Sequence, residues 1–414
     1  MTSSSPRASS SPRAIDELRA IDELRAFDEL WEQIAPIGRE SKGYLRYALS
    51  PPELALRDWF RSQAALRGLE VTDDGNGNLF AWWGPAWADG AVLTGSHFDS
   101  VPHGGGYDGP LGIVSAFLAV DELRARGVTP ARTIGVAAFV EEEGGRFGVP
   151  CLGSRLLTGA VDPDRAAGLR DAGGTTFGEA LGARPAGARL DLVRRLSAVV
   201  ELHIEQGRAL VGMHAAVGVA SAIWPHGRWR LDFTGTGDHA GTTLMADRHD
   251  PMLTYAYTVL AANKEARLAG AHATMARVLV EPNATNAIPA LVRGWLDARA
   301  ADTPTLDRLV EAIMKRATER AGRDGTSVAV EAESVSPEVA FDTALASRLA
   351  GILGGAPILP TGAGHDAGVL SAHVPTAMLF VRNPTGVSHS PAEHAPHEDC
   401  VAGVTALADV LAGL

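Results

Sequence analysis

Apolar and polar positions change rhythm along the chain, and the rhythm predicts its elements. Near the N-terminus, Arg13–Leu18, Arg19–Leu24 and Arg25–Leu30 are three copies of one hexad. Apolar residues three apart predict a helix with a slowly winding stripe, read as a duplicated helix without a function of its own. A second helix is predicted from about Pro51 to Gly68. A hairpin follows, with strands near Glu70–Thr72 and Asn78–Trp83 joined by Asp74-Gly75-Asn76-Gly77. Four short runs, Ala91–Thr94, Thr133–Val140, Ser197–Leu202 and Pro375–Val381, are apolar without alternation. That is the pattern of strands covered on both faces. A helix over about Leu111–Arg126 follows the first run. Each run leads into polar residues, and in open α/β sheets ligands bind beyond the carboxyl ends of strands.

The middle of the chain has a different order. Arg228–Phe233, Thr274–Val280, Leu291–Leu296 and Ser327–Ala332 read as strands, and Pro251–Leu268 and Thr305–Ala321 as helices. This is the β-α-β-β-α-β unit of ferredoxin-like folds. The expectation is a disordered Ser/Pro-rich tail over 1–13 and an α/β catalytic domain over 14–214 and 334–414. A ferredoxin-like α+β domain over 215–333 is inserted in it.

Composition narrows the classes. With 414 residues, 46% hydrophobic and 21% charged, the chain suits two globular domains. A net charge of -12 without a basic stripe argues against nucleic acid as partner. No run reaches the ~20 apolar residues of a membrane span. No apolar leader is read, so a cytoplasmic location is expected. Cys151 and Cys400 lack metal spacing and read as buried or idle thiols.

The polar residues past the four runs are of metal-ligand type. His97-x-Asp99 pairs an imidazole with a carboxylate able to take its second N–H. Asp108 sits in a glycine-rich turn. Glu142 and Glu143 suit a ligand plus a general base. His203 and His389 add two imidazoles. Three His, one Asp and one Glu exceed a four-coordinate catalytic zinc. They fit two metals about 3.5–4 Å apart, bridged by the Asp, with a bridging water as nucleophile.

The motifs Gly95-Ser96-His97-Phe98-Asp99, Gly105-Gly106-Tyr107-Asp108-Gly109, Glu142-Glu143-Gly144-Gly145-Arg146-Phe147 and His203-Ile204-Glu205-Gln206-Gly207 resemble M20-type di-metal amidohydrolases of the hydantoinase/carbamoylase group. His239-Ala240-Gly241, Asn283-Ala284-Thr285-Asn286, Asp297-Ala298-Arg299, Gly364-His365-Asp366 and Ser388-His389-Ser390 extend the likeness from about residue 28 to the C-terminus. The resemblance implies a mixed sheet with flanking helices, an inserted dimerisation domain, and two divalent metals per subunit (Zn, or Mn, Co or Ni). It makes His97, Asp108, Glu143, His203 and His389 ligands, with Asp108 bridging, and Glu142 the general base. Asp99 would orient His97. His239 would reach a partner subunit's site in a homodimer and stabilise the oxyanion. Gln206, Asn286, Arg299 and His365 would bind substrate. Three departures stand out: Asp238 where Asn is usual, Leu244 where Pro is common, and Arg382-Asn383 where Pro-Ser is common.

The implied activity is hydrolysis of a linear C–N ureido bond in a small carboxylate-bearing molecule, an N-carbamoyl-L-amino acid first. Allantoate amidohydrolase and β-ureidopropionase are alternatives. More distant ones are an M20 peptidase or N-acyl amino acid hydrolase, and a non-catalytic binding protein.

Overall fold

The computed structural model describes residues 12–414, with side chains from Asp22 onward. The tail expected over 1–13 therefore lies, up to residue 11, outside the described residues. The chain forms two compact units. One runs through Ser221 and resumes over Phe341–Leu414, and the other is Ala222–Ala340. The junctions fall at 222 and 340, where the sequence placed them at 215 and 333. The reason is that Val217–Ile223 pairs with Thr376–Val381 in the first unit's sheet, while the last strand of the insert continues to Ser336.

In the first unit the strands lie in the order Val217–Ile223, Thr376–Val381, Leu196–Ile204, Ala91–His97, Ile134–Phe139, Leu79–Trp83, Glu70–Asp73. The four from Thr376–Val381 to Ile134–Phe139 are parallel, and their outer neighbours are antiparallel, so the sheet is mixed. Parallel neighbours put four carboxyl ends on one edge. These strands are buried almost throughout because both faces are covered. Alternate side chains divide between two cores. Val92, Val136, Val200 and Leu379 pack with Phe117 and Leu407 of the helices Pro110–Ala125 and His397–Gly413. Leu93, Ala137, Phe139 and Val199 pack with Phe80, Trp82 and Trp87 on the other side.

The second unit is a four-stranded antiparallel sheet in the order His272–Glu281, Leu291–Arg299, His226–Thr234, Ser327–Ser336. Its helices are Pro251–Ala269 and Thr303–Asp324. Burial is one-sided: Val292, Leu296 and Ala298 alternate with half-buried residues. Leu306, Leu309, Ile313, Ala317 and Ala321 make the matching helical stripe. That helix outruns its apolar pattern because Asp302 caps its start and Gly325, at φ 67°, ends it. No helix among the described residues is long and apolar enough to cross a membrane.

Candidate metal centre and active site

The four parallel strand ends deliver the chemistry. His97 ends its strand, and its ring lies so close over Gly109 that a Cβ there would sit 2.5 Å from His97 Cε1. His97 Nδ1 is 3.0 Å from the Asp99 carbonyl oxygen, and His203 Nδ1 is 2.9 Å from that of Ile204. A carbonyl can only accept, so both Nδ1 atoms carry the proton. When the rings are neutral, both Nε2 atoms then present lone pairs. These are buried without a hydrogen-bond partner and face Asp108 Oδ1 at 3.6 and 3.2 Å.

Asp108 Oδ2 faces a second group. His389 Nε2 lies 3.4 Å from it and 3.3 Å from Glu143 Oε2. His97, Asp108 and His203 form one set of potential ligands within 4.8 Å of one another, and Asp108, Glu143 and His389 form another. Asp108 belongs to both. Lone pairs and carboxylate oxygens converging in a buried place repel unless protons or cations lie between them. This donor set therefore fits two divalent cations sharing one carboxylate. A third group, Glu201, His203 and His365, is equally close. There Glu201 is already taken up by the Ser96 hydroxyl at 2.9 Å and the Ala367 N–H at 3.0 Å, so it acts as a strut.

Asp99 departs from expectation. Its main-chain carbonyl, not its carboxylate, meets His97 Nδ1. The carboxylate is 3.7 Å away and instead accepts the Glu142 and Glu143 N–H groups, both at 3.1 Å. These peptides follow the end of Ile134–Phe139 and have no ladder partner, so the carboxylate ties the acidic loop to the histidine strand.

Glu142 points one oxygen at the metal set, with Oε2 3.7 Å from His97 Nε2. Its Oε1 lies 3.7 Å from Cys151 Sγ and 3.9 Å from His365 Nδ1. Burial pushes Glu142 well above the usual carboxylate range; His97 opposes the rise, and Glu143, Asp366 and Asp108 add to it. Burial, then Asp108, lifts Glu143 to about 7. A carboxyl group raised this way holds a proton readily, as a general base must after it has acted. Glu141 is buried and accepts the Arg146 and Phe147 N–H groups, so it supports the loop. Cys151 is buried but not idle, since its thiol meets Glu142. Cys400 is plain core.

Of the substrate-binding candidates, Gln206 and His365 are at this site. Gln206 Nε2 donates to Asp108 Oδ2 at 2.7 Å and to Ser388 Oγ at 3.1 Å. His365 is buried, 4.5 Å from the His203 ring, with neither nitrogen hydrogen-bonded. Burial, reinforced by His203, holds it well below the usual histidine range. The other two, Asn286 and Arg299, belong to the second unit, as does the oxyanion candidate His239. Asp238–His239 pairs with Ala287–Ile288, and Ala240 N–H donates to the Asn286 carbonyl at 2.9 Å, which brings exposed His239 and Asn286 together. Arg299 is half-buried, paired with Asp297 at 2.9 Å, at the far end of Leu291–Arg299.

Two departures have local partners. Asp238 accepts the His239 N–H at 2.7 Å, and Arg382 grips Asp399 with two bonds of 2.8 and 2.7 Å. Leu244 is exposed and nothing in the structure explains it. Sequence reasoning missed Glu393, whose Oε1 accepts the Tyr107 and Asp108 N–H groups at 2.9 and 3.0 Å, and Ser388, whose hydroxyl is 3.3 Å from Asp108 Oδ2. The pair Asp108 and Glu393 is 285 residues apart and leaves no local signal.

A family model described as peptidase family M20/M25/M40 matches residues 93–413. The N-carbamoyl-L-amino acid amidohydrolase of Geobacillus stearothermophilus is 35% identical over 399 residues, covering 91% of this chain and 96% of that protein. The allantoate amidohydrolase of Escherichia coli (strain K12) is 32% identical over 381 residues, covering 89% and 92%. A solved hydantoinase/carbamoylase family amidase from Burkholderia multivorans is similar with a TM-score of 0.81 at 30% identity, covering 94% and 97%.

Proposed function

The chain belongs to peptidase family M20/M25/M40 as an amidohydrolase of C–N bonds other than peptide bonds, and from that premise we propose that it hydrolyses N-carbamoyl-L-amino acids. The observation that carries the chemistry is Asp108, one carboxylate shared by two ligand sets, faced by the unpartnered Nε2 atoms of His97 and His203.

His97, His203 and Asp108 Oδ1 would hold one divalent metal, and Asp108 Oδ2, Glu143 and His389 a second. Zinc, manganese, cobalt and nickel all suit such donors. Bound there, the metals supply Lewis-acid polarisation of the ureido carbonyl and lower the pKa of a water. Glu142 takes the proton of the attacking water and returns it to the leaving nitrogen. Cys151 and His365 bracket the Glu142 oxygen turned away from His97. His239 supplies a donor to the oxyanion. Arg299 and Asn286 hold the substrate carboxylate, Arg299 by its planar fork.

The second unit supports a homodimer. Asn286 precedes the start of Leu291–Arg299 and Arg299 ends it, and the strand between spans roughly 27 Å at about 3.4 Å per residue. No single small carboxylate reaches both ends. Asn286 with His239 would serve one subunit's site and Arg299 the other's. The two free thiols accord with a reducing, cytoplasmic location.

Ammonia release from N-carbamoyl-L-amino acids, N-carbamoyl-β-alanine, allantoate and dipeptides, after zinc or manganese loading, tests the substrate. Turnover of dipeptides alone would overturn the proposal. The 32% identity to an allantoate amidohydrolase makes allantoate the second reading, with β-ureidopropionase activity a third arm of the same panel. In the metal-loaded enzyme, Glu142→Ala should lower turnover by about 10²–10⁴-fold with metal content unchanged. Wild-type turnover in that variant would remove Glu142 from the mechanism.

A further inference from the structure

The helix Pro12–Ile34 lies outside the stretch matched by the family model, yet it reaches the metal loop. Asp28 Oδ1 is 2.5 Å from His397 Nδ1, and His397 Nε2 is 3.3 Å from the Tyr107 hydroxyl. The carboxylate only accepts, so Nδ1 carries the proton, and in the neutral ring Nε2 accepts the Tyr107 O–H. Trp31 stacks on the Tyr107 ring at 4.6 Å with an interplanar angle of 20°, and Phe27 meets His397 edge-on at 5.1 Å. Tyr107 directly precedes Asp108, and both peptide N–H groups donate to Glu393 Oε1. The hydroxyl, ring and peptide of Tyr107 are thus each held by a different element, and a main-chain shift at residue 107 large enough to carry Asp108 with it would have to break these holds together.

We propose that the chain Asp28–His397–Tyr107, clamped by Trp31, is a positioning device for the carboxylate of Asp108, and that the N-terminal helix is thereby part of the metal centre's support. It rests on the assignment of Asp108 as the shared ligand. None of Asp28, Trp31 or His397 belongs to either ligand set, so all act through residue 107. Outer partners of this kind typically change metal affinity by about 10–100-fold.

The test uses the full chain with Tyr107→Phe, Asp28→Ala and the double variant. Tyr107→Phe keeps the stacked ring and removes only the hydroxyl, which protects folding. Far-UV circular dichroism and the thermal midpoint of the chelated protein serve as fold controls. Cobalt(II) affinity by chelator competition and the visible spectrum of the cobalt-loaded protein are the readouts. We expect each single variant to bind cobalt about 10-fold more weakly or worse, with a changed spectrum. The double variant should be no worse than the weaker single, because both break one chain. Unchanged affinity and spectrum in both single variants would overturn the proposal, as would a double-variant loss equal to the product of the singles. Wild-type protein that takes up no cobalt after reconstitution would instead overturn the metal assignment itself.

Discussion

Replacing Gly109 by alanine tests how tightly the first ligand set is built. The new Cβ would lie 2.5 Å from His97 Cε1, 2.6 Å from Nδ1 and 2.7 Å from Nε2, where ordinary contact begins at 3.4 Å. The ring must retreat by roughly 0.9 Å, and His97 is fully buried with nowhere open to go. Metal–ligand distances hold to about 0.2 Å, so that retreat removes His97 from the set. Alanine must also adopt φ 85°, which costs at least about 1–2 kcal/mol. Gly182→Ala is the control: φ is 75° and nothing lies within 4 Å of its Cβ, so it meets the backbone cost alone. Both variants should lose stability in denaturant titrations of the chelated protein. Only Gly109→Ala should lose metal, by about 100-fold or more in a chelator competition, the upper end for disturbing a ligand's support. If Gly109→Ala binds metal within threefold of wild type, the packing argument and the place of His97 in the set are both wrong.

Other expectations follow from the same geometry. Cys151→Ala removes a donor to Glu142 Oε1 and should lower kcat about fivefold, the worth of a hydrogen bond of about 1 kcal/mol, with KM unmoved. A change in KM alone would place Cys151 in substrate binding instead. The hydrogen bond to Asp108 first, then Glu143, pushes His389 up to about 9 in the metal-free protein against its burial. At neutral pH this imidazole therefore carries a proton that an incoming metal must displace. Metal affinity should fall as pH drops below about 9, by up to about tenfold per unit for this one proton; affinities equal at pH 6.5 and 8.5 would refute it. Mixing inactive His239→Ala and Glu142→Ala subunits should regain about a quarter of wild-type activity, since half of randomly paired two-fold dimers hold one complete site. No recovery, with subunit exchange shown by differently tagged chains, would argue that His239 serves its own subunit.

Much of this site was legible because local chemistry writes it. Burial on both faces erases alternation, so the four central strands stand out as unbroken apolar runs, and the residues after them are the ones the structure gathers. One-sided burial in the inserted unit leaves period-two and helical stripes, and these mark its four long strands and two long helices. Element ends were less legible, since caps such as Asp302 and Gly325 carry a helix past its last apolar residue. The His97-x-Asp99 spacing predicts Asp99 as a partner of His97. The carboxylate's actual task, holding the Glu142 and Glu143 peptides, depends on a strand brought alongside from elsewhere.

Which residue types stand beyond which strands is written locally in the chain, because strand burial and turn chemistry act over a few neighbouring residues. That the four strands are adjacent and parallel, and that Asp108 is common to two ligand sets, emerges only from the folded molecule. So do the contacts of Cys151 with Glu142, of Glu393 with the Asp108 peptide, and of Asp28 with Tyr107 through His397. Contacts between groups hundreds of residues apart have no period and no spacing. They are set when the whole sheet closes and each buried polar group must find a partner.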